Sequence, residues 1–357
     1  MLHRTFYANL AHRPEYLLQK QYFFHDISIR CQVNHPALLR ISDALLSSYP
    51  GCDRPRGEAR YDIFCSDKQA PFAVALPPSR IRMGKTQLLT GTQLKYYHSA
   101  EDSTEYQRYA ALPGVNAEAL SVIDVAQHYA LTQLEKLEYY EPAFLYRYVL
   151  LLALGRLMHP YGFEPCHAAA IHSPWDQQQG ALILGSSGSG KTTLSLGCAI
   201  AGCGLLGDDL VMLRYEPAQA TVRAYSIMPE ISVRSASLAL WEELSFLQTY
   251  PVDARDKRYC PIEQIRQGAA STEVPIRVLI FPQLITGTRS TLQALSKAQT
   301  LQALIEECIS KENIYPEEEM QLFSLLSVLT EQAPGYRLNI ARGSTDGPEL
   351  VCSLFKR

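Results

Sequence analysis

The stretch from Ala181 to Leu213, ALILGSSGSGKTTLSLGCAIAGCGLLGDDLVML, constrains the fold of this chain most strongly. An apolar, strand-forming run is followed by a glycine- and serine-rich loop, a helix-forming segment and a second apolar run. Strands that alternate with helices in this way are typical of α/β folds, in which helices cover a sheet. We therefore predict an α/β fold for this part of the chain.

The loop between the first strand and the helix matches the pattern GxxxxGK[ST]. In such a loop the glycines let successive backbone N–H groups point at phosphate oxygens, and the helix N-terminus adds partial positive charge. Lys191 would reach the β and γ phosphates, and the Thr192 hydroxyl would hold Mg²⁺. The alternative is a loop that only turns a strand into a helix. We favour phosphate binding by Gly185, Ser186, Ser187, Gly188, Ser189, Gly190, Lys191, Thr192 and Thr193.

Two adjacent aspartates, Asp208 and Asp209, lie in the second apolar run, LLGDDLVML, which we predict to be one strand. Aspartate is depleted in strands, and adjacent strand residues point to opposite faces. One of the two can therefore face a nucleotide, while the other needs a bulge or a second role. The alternative is a pair that closes a turn at a strand end. In most P-loop ATPases and GTPases the metal-binding aspartate follows the lysine after a much longer stretch, and this sequence has neither LSGGQ nor NKxD.

Together these motifs resemble the HPr kinase/phosphorylase superfamily, whose core is related to ATP-dependent phosphoenolpyruvate carboxykinases. The resemblance runs from Cys166 to Ile305 and rests on HAAAI with His167, on GSSGSGKTT, on LLGDDLVML, and on PEISVR with Glu230 and Arg234. DKRYCP and VLIFPQLITGT are also similar to segments of diverged HPr-kinase-related proteins. HPr kinases carry an EIRG-like signature where this chain has EISVR, and the N-terminal part differs too, which argues against HPr as the substrate.

This resemblance implies a P-loop nucleotide-binding core of the HPr-kinase/phosphoenolpyruvate-carboxykinase type that performs phosphoryl transfer. Asp208 would be the general base that accepts the proton of an attacking hydroxyl, and Lys191 would act beside it. Thr192, with either Asp209 or Glu230, would hold Mg²⁺. Phosphoryl transfer requires mainly positioning and charge neutralisation from a protein, so a metal site and one carboxylate near the nucleophile suit that chemistry.

A histidine and three basic residues complete the candidate site. His167 matches the family's histidine near the catalytic aspartate and is placed among the catalytic residues; the alternative is a core histidine whose nitrogens are satisfied. Arg234, Lys257 and Arg258 are candidates for contacting phosphate oxygens of the nucleotide or the substrate. The alternative for these three is a solvated charged loop. His172, close to a predicted turn, is expected at the surface.

We predict two domains, an N-terminal α+β module at residues 1–155 and a kinase domain at residues 156–357. In the module, the alternating run from Phe23 to Val33 predicts a half-buried strand, and Asn34 is expected to cap the helix that follows. Residues 61–106 are expected to be rich in strands, and residues 117–161 to be helical. The module would select the acceptor or mediate assembly.

Composition excludes several classes of partner and location. A net charge of -3 gives no electrostatic case for nucleic acid or an anionic membrane as a partner. The longest apolar run, YVLLLALGRLM, is too short for a bilayer and includes Arg156, and the first residues do not resemble a secretory signal. The nine cysteines show no CxxC pair, so reduced thiols in a cytoplasmic protein are expected.

The sequence thus predicts an ATP- and Mg²⁺-dependent kinase that transfers the γ-phosphate to a hydroxyl, with serine the expected type. The acceptor would be a protein, a peptide or a small molecule, and a homo-oligomer is expected because the family is commonly oligomeric. Two alternatives stay open: a nucleotide-binding regulatory or scaffold protein without turnover, and a phosphorylase or carboxykinase-like activity. The presence of Asp208, Asp209 and Glu230 together favours the kinase over the scaffold.

Overall fold

A computed structural model describes residues 17–47, 49, 51–66, 81–87, 93–99, 104–110, 118–135, 137–140, 145–253, 256–309 and 316–356. The chain divides into two compact units, Met1–Gly162 and Phe163–Arg357. The sequence analysis expected the division between residues 155 and 156.

The first unit contains a sheet whose strands follow the order β1-β2-β3-β8-β7-β6-β5-β4. Strands β2, β3 and β8 pair in parallel, and the other neighbours are antiparallel. The strands are β1 (Leu18–Phe24), β2 (Ile27–Val33), β3 (Gly57–Ser66), β4 (Ile81–Gln87), β5 (Gln93–Ser99), β6 (Thr104–Ala110), β7 (Glu118–Asp124) and β8 (Tyr129–Glu135). The α-helices are α1 (Pro36–Leu46) and α2 (Leu151–Met158), with a π-helical turn at Leu145–Leu150 and 3₁₀ turns at Leu137–Tyr139 and His159–Tyr161.

The prediction of a helix throughout residues 117–161 is wrong for its first half, where β7 and β8 form a hairpin. The buried Ser121 hydroxyl of β7 lies 2.8 Å from the hydroxyl of Thr132, its partner in the register of β8, and this contact links the two strands. Short apolar runs such as ALSVI fit a strand and a helix equally well by periodicity alone. Pairing with β3 and β6 therefore decides the structure here.

The start of α1 also differs from the prediction. His35, not Asn34, is the N-cap, and its Nδ1 accepts a hydrogen bond from the Ala37 N–H at 3.1 Å. The Asn34 side chain instead bonds both backbone groups of Cys65 in β3, at 2.7 and 2.8 Å. The predicted single strand from 23 to 33 is interrupted by a turn at His25, whose φ is +53°.

The second unit is built on a nine-stranded sheet with the path β12-β10-β11-β17-β14-β13-β9, joined by β19 beside β17 and β18 beside β19. A separate hairpin is formed by β15 and β16. The strands are β9 (Glu164–Cys166), β10 (Ala168–His172), β11 (Gly180–Leu184), β12 (Gly204–Gly207), β13 (Val211–Glu216), β14 (Thr221–Ser226), β15 (Glu230–Arg234), β16 (Lys257–Pro261), β17 (Glu273–Ile285), β18 (Thr291–Ala294) and β19 (Gly335–Ala341).

The second unit also contains six α-helices among its described residues, so the predicted mixed α/β architecture is confirmed. They are α3 (Lys191–Ile200), α4 (Ser235–Leu238), α5 (Ile262–Ile265), α6 (Lys297–Cys308), α7 (Pro316–Gln332) and α8 (Gly347–Leu354). No helix in the described part of the chain combines the length and apolar character needed to cross a membrane.

The apolar runs AAAI and ALIL form β10 and β11, which are buried on both faces. Ile183 packs on one face of the sheet with Leu194 of α3, whereas Leu182 packs on the other face with Leu304 of α6. Burial on both faces explains why these strands are continuously apolar rather than alternating. The sheet therefore holds the end of β11, where the glycine-rich loop begins, between two layers of helices.

His172 does not lie at the surface, as the sequence analysis expected, because β12 covers it. Its side chain is buried, and its residue pairs with Gly204 of β12. A Cβ at Gly204 would lie 1.8 Å from the His172 Nε2 atom, well inside van der Waals contact. The imidazole ring therefore occupies the space that a side chain at position 204 would need.

Gly204→Ala should destabilise the second unit by about 1–3 kcal/mol, because overpacking forces the ring or the strand to move. Thermal or urea unfolding measures this change. Gly287→Ala is the matched control, since its Cβ would meet its nearest neighbour at an ordinary 3.6 Å. Adding His172→Ala to Gly204→Ala should recover part of the lost stability. Equal stability of the Gly204→Ala and Gly287→Ala variants would contradict the packing of His172 against Gly204.

Candidate functional site

The glycine-rich loop joins β11 to α3 and needs its glycines for shape. Gly188 and Gly190 have φ angles of +87° and +101°, in the region that residues with a Cβ rarely adopt. At Gly185 a Cβ would lie 2.6 Å from the Ser189 hydroxyl oxygen. A side chain at any of these three positions would disturb the loop.

Lys191 is the first residue of α3, and its side chain is buried against the loop. Its ammonium group donates to the backbone carbonyl of Gly185 and, at 3.3 Å, to that of Ser186. The same nitrogen lies 3.4 Å from Nε2 of His167. Burial lowers the pKa of Lys191, while the Asp209 charge acts in the opposite direction. The structure thus places the lysine on the loop itself and next to the predicted histidine.

The loop hydroxyls differ in their surroundings. Ser186 and Ser187 are exposed, and Thr193 lies 2.7 Å from the Ser237 hydroxyl of α4. The Ser189 hydroxyl is buried and, within the described residues, has no hydrogen-bond partner. A buried hydroxyl without a partner is unfavourable, so Ser189 marks a point where the loop can accept a further polar group.

Asp208 and Asp209 lie between two strands and not within one, so the predicted single strand LLGDDLVML is wrong. Strand β12 ends at Gly207 beside β10, and β13 begins at Val211 beside β14 and β9. The chain changes neighbours at the aspartates, where the backbone bends. Because the two aspartates are not in a continuous strand, their side chains need not point to opposite faces, and both can face the same region.

Asp208 is almost completely buried under the glycine-rich loop, at 3% exposure. Its Oδ2 accepts hydrogen bonds from the Thr192 hydroxyl at 3.2 Å and from the Ser232 N–H and hydroxyl at 3.3 Å each. Burial, followed by repulsion from Asp209, raises the pKa of Asp208 to about 7. This carboxyl group can thus gain or lose a proton near neutral pH.

Asp209 is half-buried and is held by a cation. Its Oδ2 accepts a bond from the Lys257 ammonium at 2.7 Å and lies 3.2 Å from the Ser232 hydroxyl, while its backbone carbonyl lies 2.7 Å from Nδ1 of His167. Burial acts to raise the pKa of Asp209, but the charge and hydrogen bond of Lys257, together with His167 and the Ser232 hydroxyl, outweigh burial and lower that pKa below its ordinary value. The adjacent aspartates therefore differ: Asp209 stays ionised, whereas Asp208 titrates.

His167 adjoins both the lysine and the aspartates at the edge of the site. Its pKa is lowered, first by desolvation of the ring and then by the nearby Lys191 charge. The neutral imidazole is thus favoured, with one ring nitrogen facing Lys191 and the other facing the Asp209 carbonyl.

Ser232 is a site residue that the sequence analysis missed. It lies in the middle of β15, between Glu230 and Arg234, and contacts both aspartates. Side chains two residues apart share one face of a strand, so Glu230 and Arg234 lie on the face that carries Ser232. The alternation in EISVR, with apolar Ile231 and Val233 in the core, was the signal that could have identified it.

Strand β16 contributes the remaining basic residues. In the register of the hairpin, Lys257 is opposite Arg234, and Arg258 is opposite Val233. Lys257 reaches Asp209, whereas Arg258 donates to the Ser235 hydroxyl at 2.9 Å and Arg234 is exposed. The structure therefore brings Lys257 into direct contact with Asp209, and the two arginines lie at the same end of the hairpin.

The described residues contain no group of three or more His, Cys, Asp and Glu side chains arranged to hold a metal ion. Thr192 and Asp208 nevertheless place two oxygen atoms 3.2 Å apart beside the loop. Oxygen ligands of this kind suit Mg²⁺, which commonly binds one or two carboxylates together with waters and phosphates.

The chain is similar to known proteins in structure rather than in sequence. No protein-family model and no curated protein matches the chain. The HPr(Ser) kinase/phosphatase from Coxiella burnetii is similar in structure, with 15% identity and a TM-score of 0.30. The similarity covers 54% of this chain and 88% of that chain. A likeness of this extent does not assign a function.

The two aspartates should respond oppositely to removal of their charge. At pH 8, without nucleotide or Mg²⁺, Asp208→Asn should raise the unfolding free energy by about 1 kcal/mol or more, because it removes a buried charge that Asp209 repels. Asp209→Asn should lower the unfolding free energy, because it leaves the Lys257 charge without its carboxylate partner.

The effect of Asp208→Asn should also depend on pH in a fixed direction. A carboxyl group whose folded pKa is raised from about 4 destabilises the folded protein progressively as pH rises towards 7. The gain from Asp208→Asn should therefore shrink towards zero below about pH 4, as thermal unfolding across this range would measure. A loss of stability at pH 8 similar to that of Asp209→Asn would contradict this assignment of charge.

Proposed function

We propose that this chain is a nucleotide-dependent phosphotransferase that uses MgATP and transfers the γ-phosphate to a hydroxyl group, serine being the expected type. The observation that carries the proposal is the contact between the loop and the acidic pair. Thr192, in the loop motif, bonds Asp208, and Asp208 shares Ser232 with the ionised Asp209. The glycine-rich loop thus lies directly beside one titrating and one charged carboxylate, which supports the proposal.

The nucleotide phosphates would bind residues 185–193. The backbone N–H groups of the loop and the N-terminus of α3 provide an anion site, and Lys191 adds a full charge there. Ser189 would offer its hydroxyl to a phosphate oxygen, which would satisfy its hydrogen-bonding capacity. Arg234 and Arg258 would approach the phosphates from the β15–β16 hairpin.

Mg²⁺ fits the oxygen atoms beside the loop. Thr192 would hold it together with a carboxylate from Asp209 or Glu230, and the ion would neutralise charge on the transferred phosphoryl group. Asp209 would need to exchange part of its contact with Lys257 before it could serve as a ligand.

Asp208 would act as the general base. A carboxyl group with a pKa of about 7 binds a proton from an attacking hydroxyl more readily than an ordinary aspartate does. The neutral ring of His167 would orient the backbone at Asp209 and remain close to Lys191, so that both groups keep their positions during transfer. These roles agree with the motif resemblance described from the sequence.

The proposal also covers the acceptor, the role of the first unit, and the assembly and location of the protein. We propose a protein, peptide or small-molecule hydroxyl as acceptor, with the first unit selecting it or mediating assembly into a homo-oligomer in the cytoplasm. The alternative is a nucleotide-binding regulatory protein without turnover. The ion pair between Lys257 and Asp209 favours this alternative, because it occupies a carboxylate that a metal ion would need.

Lys191→Ala should weaken MgATP binding about 10- to 100-fold, the usual effect of losing a hydrogen bond from a charged group. Calorimetric titration would measure this change. Lys297→Ala is the matched control, because Lys297 lies on the exposed side of α6, where its ammonium group pairs with the exposed Glu331. Unchanged affinity in Lys191→Ala would overturn phosphate binding by the loop.

Asp208→Asn should reduce phosphoryl transfer by about 10²- to 10⁴-fold, the typical contribution of a general base, while MgATP binding persists. Protein is mixed with γ-labelled ATP, Mg²⁺ and extract of the native organism, and labelled products are separated by size. Asp176→Asn is the matched control, because Asp176 lies in an exposed turn, where its carboxylate accepts a hydrogen bond from the Gln178 N–H. Tight MgATP binding with no transfer by the unaltered chain would favour the regulatory alternative.

A further inference from the structure

A second concavity lies beside the glycine-rich loop, and we call it the apolar cleft. It has a volume of about 330 Å³, and its walls include Leu240, Trp241, Leu284 and Ile340. Clefts of about 300–1,000 Å³ that are mostly apolar are typical of small-molecule sites. The apolar cleft contains none of the aspartates, His167 or Lys257, so it is separate from the acidic pair.

The position of the apolar cleft in the sheet matches where ligands bind in α/β proteins. Strands β11, β17 and β19 run parallel, and Leu284 and Ile340 lie near the carboxyl ends of β17 and β19. Ligands of open α/β sheets bind outside these ends. The glycine-rich loop leaves the same end of β11, so a ligand anchored in the loop can extend across the neighbouring strand ends.

The loop and the apolar cleft share residues. Gly190 belongs to the loop motif and also lines the cleft, and Thr193 lines it from the first turn of α3. The two sites are therefore contiguous along the start of the helix. A molecule with phosphates in the loop would place the group attached to those phosphates in this cleft.

The lining of the apolar cleft suits a flat aromatic ring. It offers few side chains that could form hydrogen bonds with the edge of that ring. The Trp241 ring is fixed by close packing on α3, where a Cβ at Gly197 would lie 2.4 Å from it. The Thr193 hydroxyl is already within 2.7 Å of the Ser237 hydroxyl, and the Ser344 hydroxyl bonds Asp346. Arg342 is exposed at the cleft. Contact is thus mainly apolar.

We propose that the apolar cleft holds the base and ribose of a purine nucleotide whose phosphates lie in the glycine-rich loop, with little selection between adenine and guanine. The inference rests on the proposed function, since it assumes phosphates in the loop. An apolar pocket discriminates weakly between molecules of the same shape, whereas strong rejection requires dedicated hydrogen-bonding groups. ATP and GTP should therefore bind within about 10-fold of one another.

The experiment compares Mg²⁺ complexes of tripolyphosphate, ATP and GTP by calorimetric titration of the full chain. Ala236→Phe places a ring in the mouth of the apolar cleft from an exposed position on α4, and Ala239→Phe, an equally exposed position outside the lining, is the matched control. Leu240→Ala removes one apolar wall as a second variant. ATP and GTP should bind the unaltered chain at least about 10-fold more tightly than tripolyphosphate, and Ala236→Phe should abolish that advantage while tripolyphosphate still binds.

The outcomes separate failure of the inference from failure of the proposed function. Equal binding of tripolyphosphate and ATP, or full ATP affinity in both Ala236→Phe and Leu240→Ala, would overturn the base site and leave phosphate binding intact. A preference for ATP over GTP of about 100-fold or more would overturn weak base selection. Failure of the unaltered chain to bind both ATP and tripolyphosphate would instead overturn the proposed function. If Ala236→Phe also abolishes the binding of tripolyphosphate, the affinity of Leu240→Ala for ATP decides the result.

Discussion

The Ser232 hydroxyl lies 3.3 Å from Asp208 and 3.2 Å from Asp209, and the candidate site depends on this shared contact. It holds two neighbouring carboxylates in one place although their charges repel. The repulsion is relieved unequally, because Lys257 neutralises Asp209 and leaves Asp208 buried among neutral donors. One carboxylate is therefore kept charged and the other is left able to titrate, which is how a pair of like groups acquires two roles.

The fold supplies each part of this arrangement from a different strand. The end of β11 presents the loop, the gap between β12 and β13 presents the aspartates, and the β15–β16 hairpin presents Ser232 and Lys257. The apolar faces of the same elements enter the core, as Ile231 and Val233 of β15 do. Packing in the core thus positions the polar groups, so the site needs no disulfide or long loop to define it.

The sequence predicted those features that local patterns control and missed those that tertiary pairing controls. The runs AAAI and ALIL, the glycine loop and the helix from Lys191 were predicted because each has its own local signal. The break at Asp208 was only the alternative to a single strand, because the different partners of β12 and β13 leave no local signal. The β7–β8 hairpin was predicted to be a helix because its pairing also lies outside the local pattern. The contacts of Ser232 and Lys257 join segments remote in sequence, so spacing could not show them.

The unequal protonation of the two aspartates is the central claim, and a titration of their side-chain carboxyl carbons tests it most directly. Protein labelled with ¹³C at aspartate is followed by NMR without nucleotide, and the spectrum of Asp208→Asn assigns the signal. The account predicts one aspartate that titrates near pH 7 and is lost in that variant, while Asp209 stays ionised far below neutrality. Titration of both residues at ordinary aspartate pKa values, about 4, would contradict it.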